Sequence, residues 1–220
     1  REDLEALAAA VERHQGTPIA VAYTHTHSDH LGDEGLLNEA FDLPVWASKE
    51  CSKEIRVDRI LRDDEILCLG SQQWTVLHTP GHHPGHLCFM SDAGLVAGDM
   101  VAGVGTILIP PYSGEMWTYL EQLQRLHSYN PHLIFPSHGP VIAQPEKILT
   151  QYIEHRTLRH ERVLKAIQQG HTSIDLIAEF AYSDTPEAHP ELAKDQTLSH
   201  LLSLEREGKI TQHSQRWAPN

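Results

Sequence analysis

The spacing of apolar residues changes several times along the chain, and each change predicts a new element. Leu4, Leu7 and Val11 recur at three- and four-residue steps, which predicts a helix over residues 2–14. Gly16, Thr17 and Pro18 close it. "IAVAYTH" (19–25) is a compact apolar run and predicts a buried strand. "GDEGLLNEAFD" (32–42) predicts a loop leading into a short helix, and "LPVWAS" (43–48) the next strand of a strand–helix–strand unit.

Residues 58–103 differ in texture. The short runs "EILCLG", "WTVLHTP", "HLCFMS" and "GLVAGD" are separated by Gly70, Pro80, Gly81, Asp92 and Gly94, the pattern of a β-meander. Helical spacing returns in "SGEMWTYLEQLQRLHSY" (113–129), with Ser113 placed to cap it. "HLIFPSHGPVI" (132–142) predicts a strand entering a Pro/Gly turn. Strands with helices at intervals make the fold class α/β with mixed sheets.

A third texture begins at Pro145. A long helix is predicted to Gly170, then a second in "TSIDLIAEFAY" with Thr172 or Ser173 as N-cap. "ELAKDQTLSHLLSLEREGK" predicts a third helix closing near Gly208, and "ITQHSQRWA" a small strand wing. The expected organisation is a main domain over 1–144 and a helix-turn-helix-like appendage over 145–220.

Composition narrows the classes. A hydrophobic content of 40% in 220 residues supports a real core. No apolar run reaches the roughly 18 residues of a membrane span, and the charged N-terminal helix does not read as a signal peptide. Three cysteines without CxxC spacing fit reduced thiols and a cytoplasmic location, with Cys88 expected as a small buried apolar residue. The net charge of −13 disfavours non-specific attraction to nucleic acid or anionic membranes. Residues 1–144 hold 8 Lys and Arg against 19 Asp and Glu, and residues 145–220 hold 9 against 11.

Seventeen histidines are the unusual feature. "THTHSDHLGD" (24–33) places three of them with two aspartates in ten positions. On extended backbone His25 and His27 point to the same side, and Asp29 and His30 follow across a turn. Three further candidates each follow a β-like run: His82 in "HTPGHHPGH", Asp99 in "LVAGDM" and His138 in "FPSHGP". Loops held by a sheet suit metal ligands. Nitrogen and carboxylate donors without thiolate suit Zn²⁺, and also Fe or Mn, in open catalytic sites. His86 is expected to be a packed histidine and His83 to face solvent.

"THTHSDH" (24–30), "HTPGH" (78–82), "AGD" (97–99) and "PSHGP" (136–140) resemble the metallo-β-lactamase superfamily. The resemblance implies an αββα sandwich, with its first strands preceding residue 1. It implies two Zn²⁺ per chain (or Fe or Mn), the first on His25, His27 and His82 and the second on Asp29, His30 and His138. Asp99 would bridge them opposite a shared hydroxide that attacks carbonyl carbon or phosphorus. Asp29 would be catalytic as well as a ligand, orienting the hydroxide and taking up a proton.

The tail resembles the winged-helix-like extension of the β-lactamase-like-2 branch, which includes a mitochondrial endoribonuclease and fungal polyketide thioesterases and lies close to the hydroxyacylglutathione hydrolases. In that branch residues 102–120 border the substrate cleft. Tyr112, Trp117 and Tyr119 would line an apolar pocket there; the i, i+3 spacing instead favours Trp117 and Leu120 as the core face of the helix. The resemblance allows either a small ester, thioester or lactam or an RNA as substrate, and the acidic charge balance makes the small-molecule class the expected one. A single-strand-specific endoribonuclease is the alternative, and a non-catalytic metal-binding module the third reading. The only dense basic stretch, Arg156, Arg159, Arg162 and Lys165, is either a phosphate stripe or, as expected here, a solvated helix face. A small-molecule partner, no membrane partner and an unspecified oligomeric state complete the expectations.

Overall fold

The computed structural model describes residues 2–32, 42–214 and 216–220. The short helix expected within 32–42 lies outside the described residues. Helix α1 (Glu2–His14) opens the chain. Strands β1 (Val21–Ala22), β2 (Val45–Ala47) and β3 (Arg59–Ile60) form a parallel three-stranded sheet. The strand expected over 19–25 is thus only two residues long, and Ile19 is 51% exposed. The chain leaves the ladder after Tyr23, whose N–H still reaches Trp46 O; the next carbonyl, Thr24 O, accepts instead from Leu87 N in the other sheet at 2.7 Å. Short helix α2 (Ser28–Leu31) follows the histidine loop.

Strands β4 (Ile66–Leu69), β5 (Gln72–His78), β6 (Leu87–Ser91) and β7 (Gly94–Gly98) form the expected antiparallel meander. Strand β8 (Ile134–Pro136) adds parallel to β7 and makes the sheet mixed. Both faces of this sheet are covered, so its inner strands read as continuous apolar runs rather than alternations. Leu77, Cys88, Leu95 and Ala97 pack against helix α3 (Met116–Ser128) and the first half of helix α4 (Pro145–Gln168). Val76, Leu87 and Phe89 face the other way and meet Trp46 of the three-stranded sheet. The layers run helix, sheet, sheet.

Two expectations for α3 fail. Ser113 does not cap it; the N-cap is Glu115, with no side-chain cap bond. Gly114 N turns back to Pro110 O and Glu115 N to Gly81 O, so the chain is still turning at 113–115. Trp117 is not on the core face either: it is 39% exposed, and its Nε1 donates to Glu121. Met116, Tyr119, Leu123 and Leu126 form that face, with Leu120 at its flank. Tyr112 is 87% exposed.

Helix α4 continues into a second core. Its Val163, Ala166 and Ile167 pack with helix α5 (Ile174–Ala181), helix α6 (Pro190–Arg206) and Trp217 of the antiparallel wing β9 (Ile210–His213) and β10 (Arg216–Pro219). Ser173 caps α5, accepting from Leu176 N. The basic stretch divides: Arg156 and Arg159 are 1% and 3% exposed, enclosed by neighbouring segments against both sequence readings, while Arg162 is half-buried and Lys165 exposed. Arg159 donates to Ala181 O and to Asp184 at 2.9 Å. Among the described residues no helix is long and apolar enough to cross a membrane.

Candidate metal centre

All seven candidate residues converge at one end of the sheets. His25 and His27 sit on the extended segment after β1, and Asp29 and His30 on α2. His82 lies between β5 and β6, Asp99 directly after β7, and His138 just after β8. Two glycines let these segments approach. Gly98 holds φ +50°, and a Cβ there would lie 2.5 Å from His86 Nε2. That nitrogen accepts from Asp99 N at 2.9 Å, so the imidazole fits beneath the turn only because residue 98 lacks a side chain. Gly81 (φ +135°) likewise lets the start of α3 lie against the His82 loop, where a Cβ would meet Tyr119 Cα at 2.4 Å.

Three imidazoles meet nitrogen to nitrogen. His27 Nδ1 lies 3.1 Å from His25 Nε2 and 2.8 Å from His82 Nε2. Bonds of about 2.0–2.1 Å at tetrahedral angles would place neighbouring nitrogens on one zinc roughly 3.3 Å apart. A second set, Asp29, His30 and His138, also offers donor atoms within 4.8 Å of one another. A third combination, His25, His30 and Asp99, overlaps both. Asp99 faces both groups: Oδ2 is 3.4 Å from His82 Nε2, and Oδ1 is 3.3 Å from His30 Nε2 and 3.4 Å from His138 Nε2. Asp29 Oδ2, at the exposed rim, is 3.4 Å from His138 Nε2 and 3.6 Å from His30 Nε2.

His30 Nε2 and Asp99 Oδ1 are buried and face each other at 3.3 Å, without a well-formed hydrogen bond to any described group. Buried polar atoms short of hydrogen bonds are costly. A cation beside them would complete their bonding, so the donor set fits divalent metal binding.

The protonation states of His25, His82 and Asp99 suit ligation, whereas His30 would have to give up a proton. Burial pushes His82 down to about 4, against a smaller opposing pull from its bond to Leu108 O. Burial, then the neighbouring imidazoles, lowers His25 far further. Burial also works against charge on His30, but the Asp99 and Asp29 carboxylates outweigh it and raise its pKa. Asp99 is held low by those same imidazoles despite its burial. His82 Nδ1 donates to Leu108 O at 2.7 Å, which leaves Nε2 bare and aimed at the cluster.

The sequence undervalued the supporting residues. His86 is packed as expected, but it also donates from Nδ1 to Thr79 Oγ1 at 2.8 Å and accepts from Asp99 N, fixing the start of the Asp99 turn. His83 is not solvent-facing: it is 4% exposed. Its Nδ1 accepts from Gly85 N at 3.0 Å and its Nε2 donates to Thr26 Oγ1 at 3.1 Å. Thr26 in turn donates to Glu54. The polar residue inside "HTH" was the one available signal, since it must point opposite to its two histidine neighbours.

Residues 52–138 match the family described as the metallo-beta-lactamase superfamily, and residues 173–217 the beta-lactamase associated winged helix domain. The chain thus carries a metallo-β-lactamase domain, whose relatives are generally hydrolases, and the associated winged helix at its C-terminal side. It is 26% identical over 221 residues to the beta-lactamase-like protein 2 homolog of Drosophila melanogaster, covering 93% of this chain and 74% of that protein. It is 35% identical over 123 residues to the hydroxyacylglutathione hydrolase of Bdellovibrio bacteriovorus, covering 54% of this chain and 48% of that one. A beta-lactamase domain protein from Burkholderia ambifaria shares the fold, with a TM-score of 0.83 at 24% identity over 99% of this chain and 79% of that chain.

Proposed function

We propose that the chain hydrolyses a small acyl substrate, a thioester before an ester or lactam, at two divalent ions held by His25, His27, His82, Asp29, His30, His138 and Asp99. Zinc is the ion this nitrogen and carboxylate set favours, with iron or manganese as alternatives. The observation that carries the reading is Asp99, whose two oxygens face two separate histidine groups. Bound there, the ions would lower the pKa of a shared water toward neutrality and polarise a carbonyl oxygen.

The protein's own groups do the rest. Leu108 O and His86 hold His82 and Asp99 in fixed orientations, so little reorganisation accompanies reaction. Asp29 Oδ2, exposed at the rim, accepts the proton of the attacking water. Water adds to the acyl carbon, the carbon–sulfur bond breaks, and the thiolate takes that proton. The similarity to a hydroxyacylglutathione hydrolase supports the thioester preference. Burial of Arg156 and Arg159 takes two of the four cations out of the phosphate stripe and weakens the ribonuclease alternative, with Arg162 half-buried and Lys165 exposed.

The test is a hydrolysis panel on metal-loaded protein: S-lactoylglutathione, acyl-CoA and acyl-carrier thioesters, lactones, nitrocefin and short single-stranded RNA, with Asp29→Ala alongside. Thioester cleavage that is abolished by chelation and lost in Asp29→Ala is expected. Cleavage of RNA alone would overturn the substrate class.

A further inference from the structure

The carbonyl that orients His82 belongs to Leu108, in the irregular segment between β7 and α3. Both neighbours of Leu108 are gripped from the C-terminal helices. Arg156 of α4 donates from Nη2 to Ile107 O and to Thr106 Oγ1. Gln196 of α6 accepts from Ile109 N at 3.2 Å and donates to Ile109 O at 2.9 Å. Ser199 Oγ donates to the same carbonyl at 2.6 Å. Arg156 Nη1 closes the frame by donating to Gln196 Oε1 at 2.9 Å. Among the described residues, the hydrogen bonds that hold 106–109, apart from that of His82, come from α4 and α6.

Arg156 is an expensive way to weld two helices. Its guanidinium is 1% exposed, its Nε has no partner, and among the described residues its acceptors are all neutral. Arg159, one helical turn on, has the Asp184 carboxylate at 2.9 Å. A buried charge without a counter-ion destabilises a fold, and an apolar side chain of similar volume would serve stability better. What an apolar side chain lacks is the planar fork, which reaches the 106–107 backbone and Gln196 at once.

We infer that Arg156, Gln196 and Ser199 are positioning residues for the metal centre: they hold Leu108 O where it orients His82, so the C-terminal helices are part of one ion's coordination. The inference rests on the metal-centre reading above. It predicts that loosening this frame weakens one ion and spares the other. Supporting hydrogen bonds to ligands are worth roughly 10–100-fold in metal affinity.

The experiment uses the full chain with Arg156→Lys and Ser199→Ala, and with Arg159→Lys as control. Arg159→Lys disturbs the same helix without touching 106–109. Zn²⁺ affinity is measured by competition with a chromophoric chelator. The exchangeable Nδ1 protons of ligand histidines are followed by NMR of the Co²⁺-loaded protein. Expected for Arg156→Lys is about a tenfold weaker affinity for one of two ions, with one exchangeable histidine signal shifted or lost. Ser199→Ala, which removes only the hydroxyl's contacts to Ile109 O and Asp195 O, should show the same change to a smaller degree. Arg159→Lys should lower the melting temperature and leave both metal readouts at wild-type values. The inference is overturned if Arg156→Lys and Ser199→Ala lower only the melting temperature, or weaken both ions equally. Should the wild-type chain take up no metal, the metal-centre reading itself fails, an outcome separate from either.

Discussion

The molecule contains two buried histidine clusters, and they are built differently. In the C-terminal core His160 Nδ1 lies 3.2 Å from His200 Nδ1, and its Nε2 is 3.0 Å from Glu207 Oε1. One carboxylate and one shared contact hold that pair, and the buried His200 Nε2 has no hydrogen-bond partner among the described residues. At the candidate metal centre His27 Nδ1 meets two other imidazole nitrogens, and Asp99 lies within 3.4 Å of three histidines. No arrangement of protons satisfies all of those contacts. Density of histidine is therefore a weak sign of metal binding; convergence of nitrogens that protons alone cannot pair is a strong one.

The sharpest way to break this comparison is to remove the shared carboxylate. On the proposed two-ion reading Asp99→Asn should lower thioester hydrolysis by more than the roughly 10–100-fold typical of losing a supporting hydrogen bond, because both ions would lose a ligand. His200→Gln should leave turnover unchanged. Parallel steady-state assays decide it; equal losses would erase the distinction.

Next in size is metal removal. A ligand present at 1,000 times its Kd stabilises by about 4 kcal/mol. For a chain of this length each kcal/mol moves the melting temperature by roughly 2–4 °C, so chelation should lower it by about 10 °C. Calorimetry of His160→Gln should give the same chelation shift as wild type, and His25→Ala should give a much smaller one.

Acid titration sharpens the contrast further. The folded pKa of His82, about 4, lies below its ordinary 6.5. Between those values the unfolded chain binds the proton and the folded chain does not, so stability falls as pH drops from 6.5 toward 4. At about 1.4 kcal/mol per unit, His82 alone contributes on the order of 3 kcal/mol to that loss. His25 and His86 act in the same direction, and His30, raised by its carboxylates, opposes them. Bound metal should steepen the site's share of this slope, because it keeps the proton off His30 and the other ligands in the folded state. The share from His160 and His200, both also lowered by burial, should persist. Urea midpoints across this range, with and without Zn²⁺, measure both.

The smallest effect belongs to the C-terminal pair itself. His160→Gln should cost about 1–2 kcal/mol through the lost Glu207 contact and leave metal stoichiometry at the wild-type value. A loss of bound metal would show the two clusters to be coupled.

Much of this was legible in the sequence. The meander, the three C-terminal helices and the wing follow from spacing and turn residues, which act locally. All seven site candidates were visible because each follows a strand-like run. The supporting residues were not, because their partners are distant in sequence. Arg156 sits 40 positions from Gln196, and Thr26 is 57 from His83. Arg156 and Arg159 have the spacing of a solvated face and become buried only when α6 and the segments at 106–109 and 181–185 close over them. Ser113 has the chemistry of a cap, but Gly81 O claims the Glu115 N–H and shifts the helix start.

Helix α4 places Leu149 and Tyr152 in one core and Val163, Ala166 and Ile167 in the other. Tyr152 also bonds through its hydroxyl to Ala102 N and Gly105 O, just beyond the Asp99 turn. A rod shared in this way leaves no seam. The winged part cannot be excised or exchanged as a cassette without stripping a wall from the half that carries the histidine cluster, and a single melting transition should serve the whole molecule.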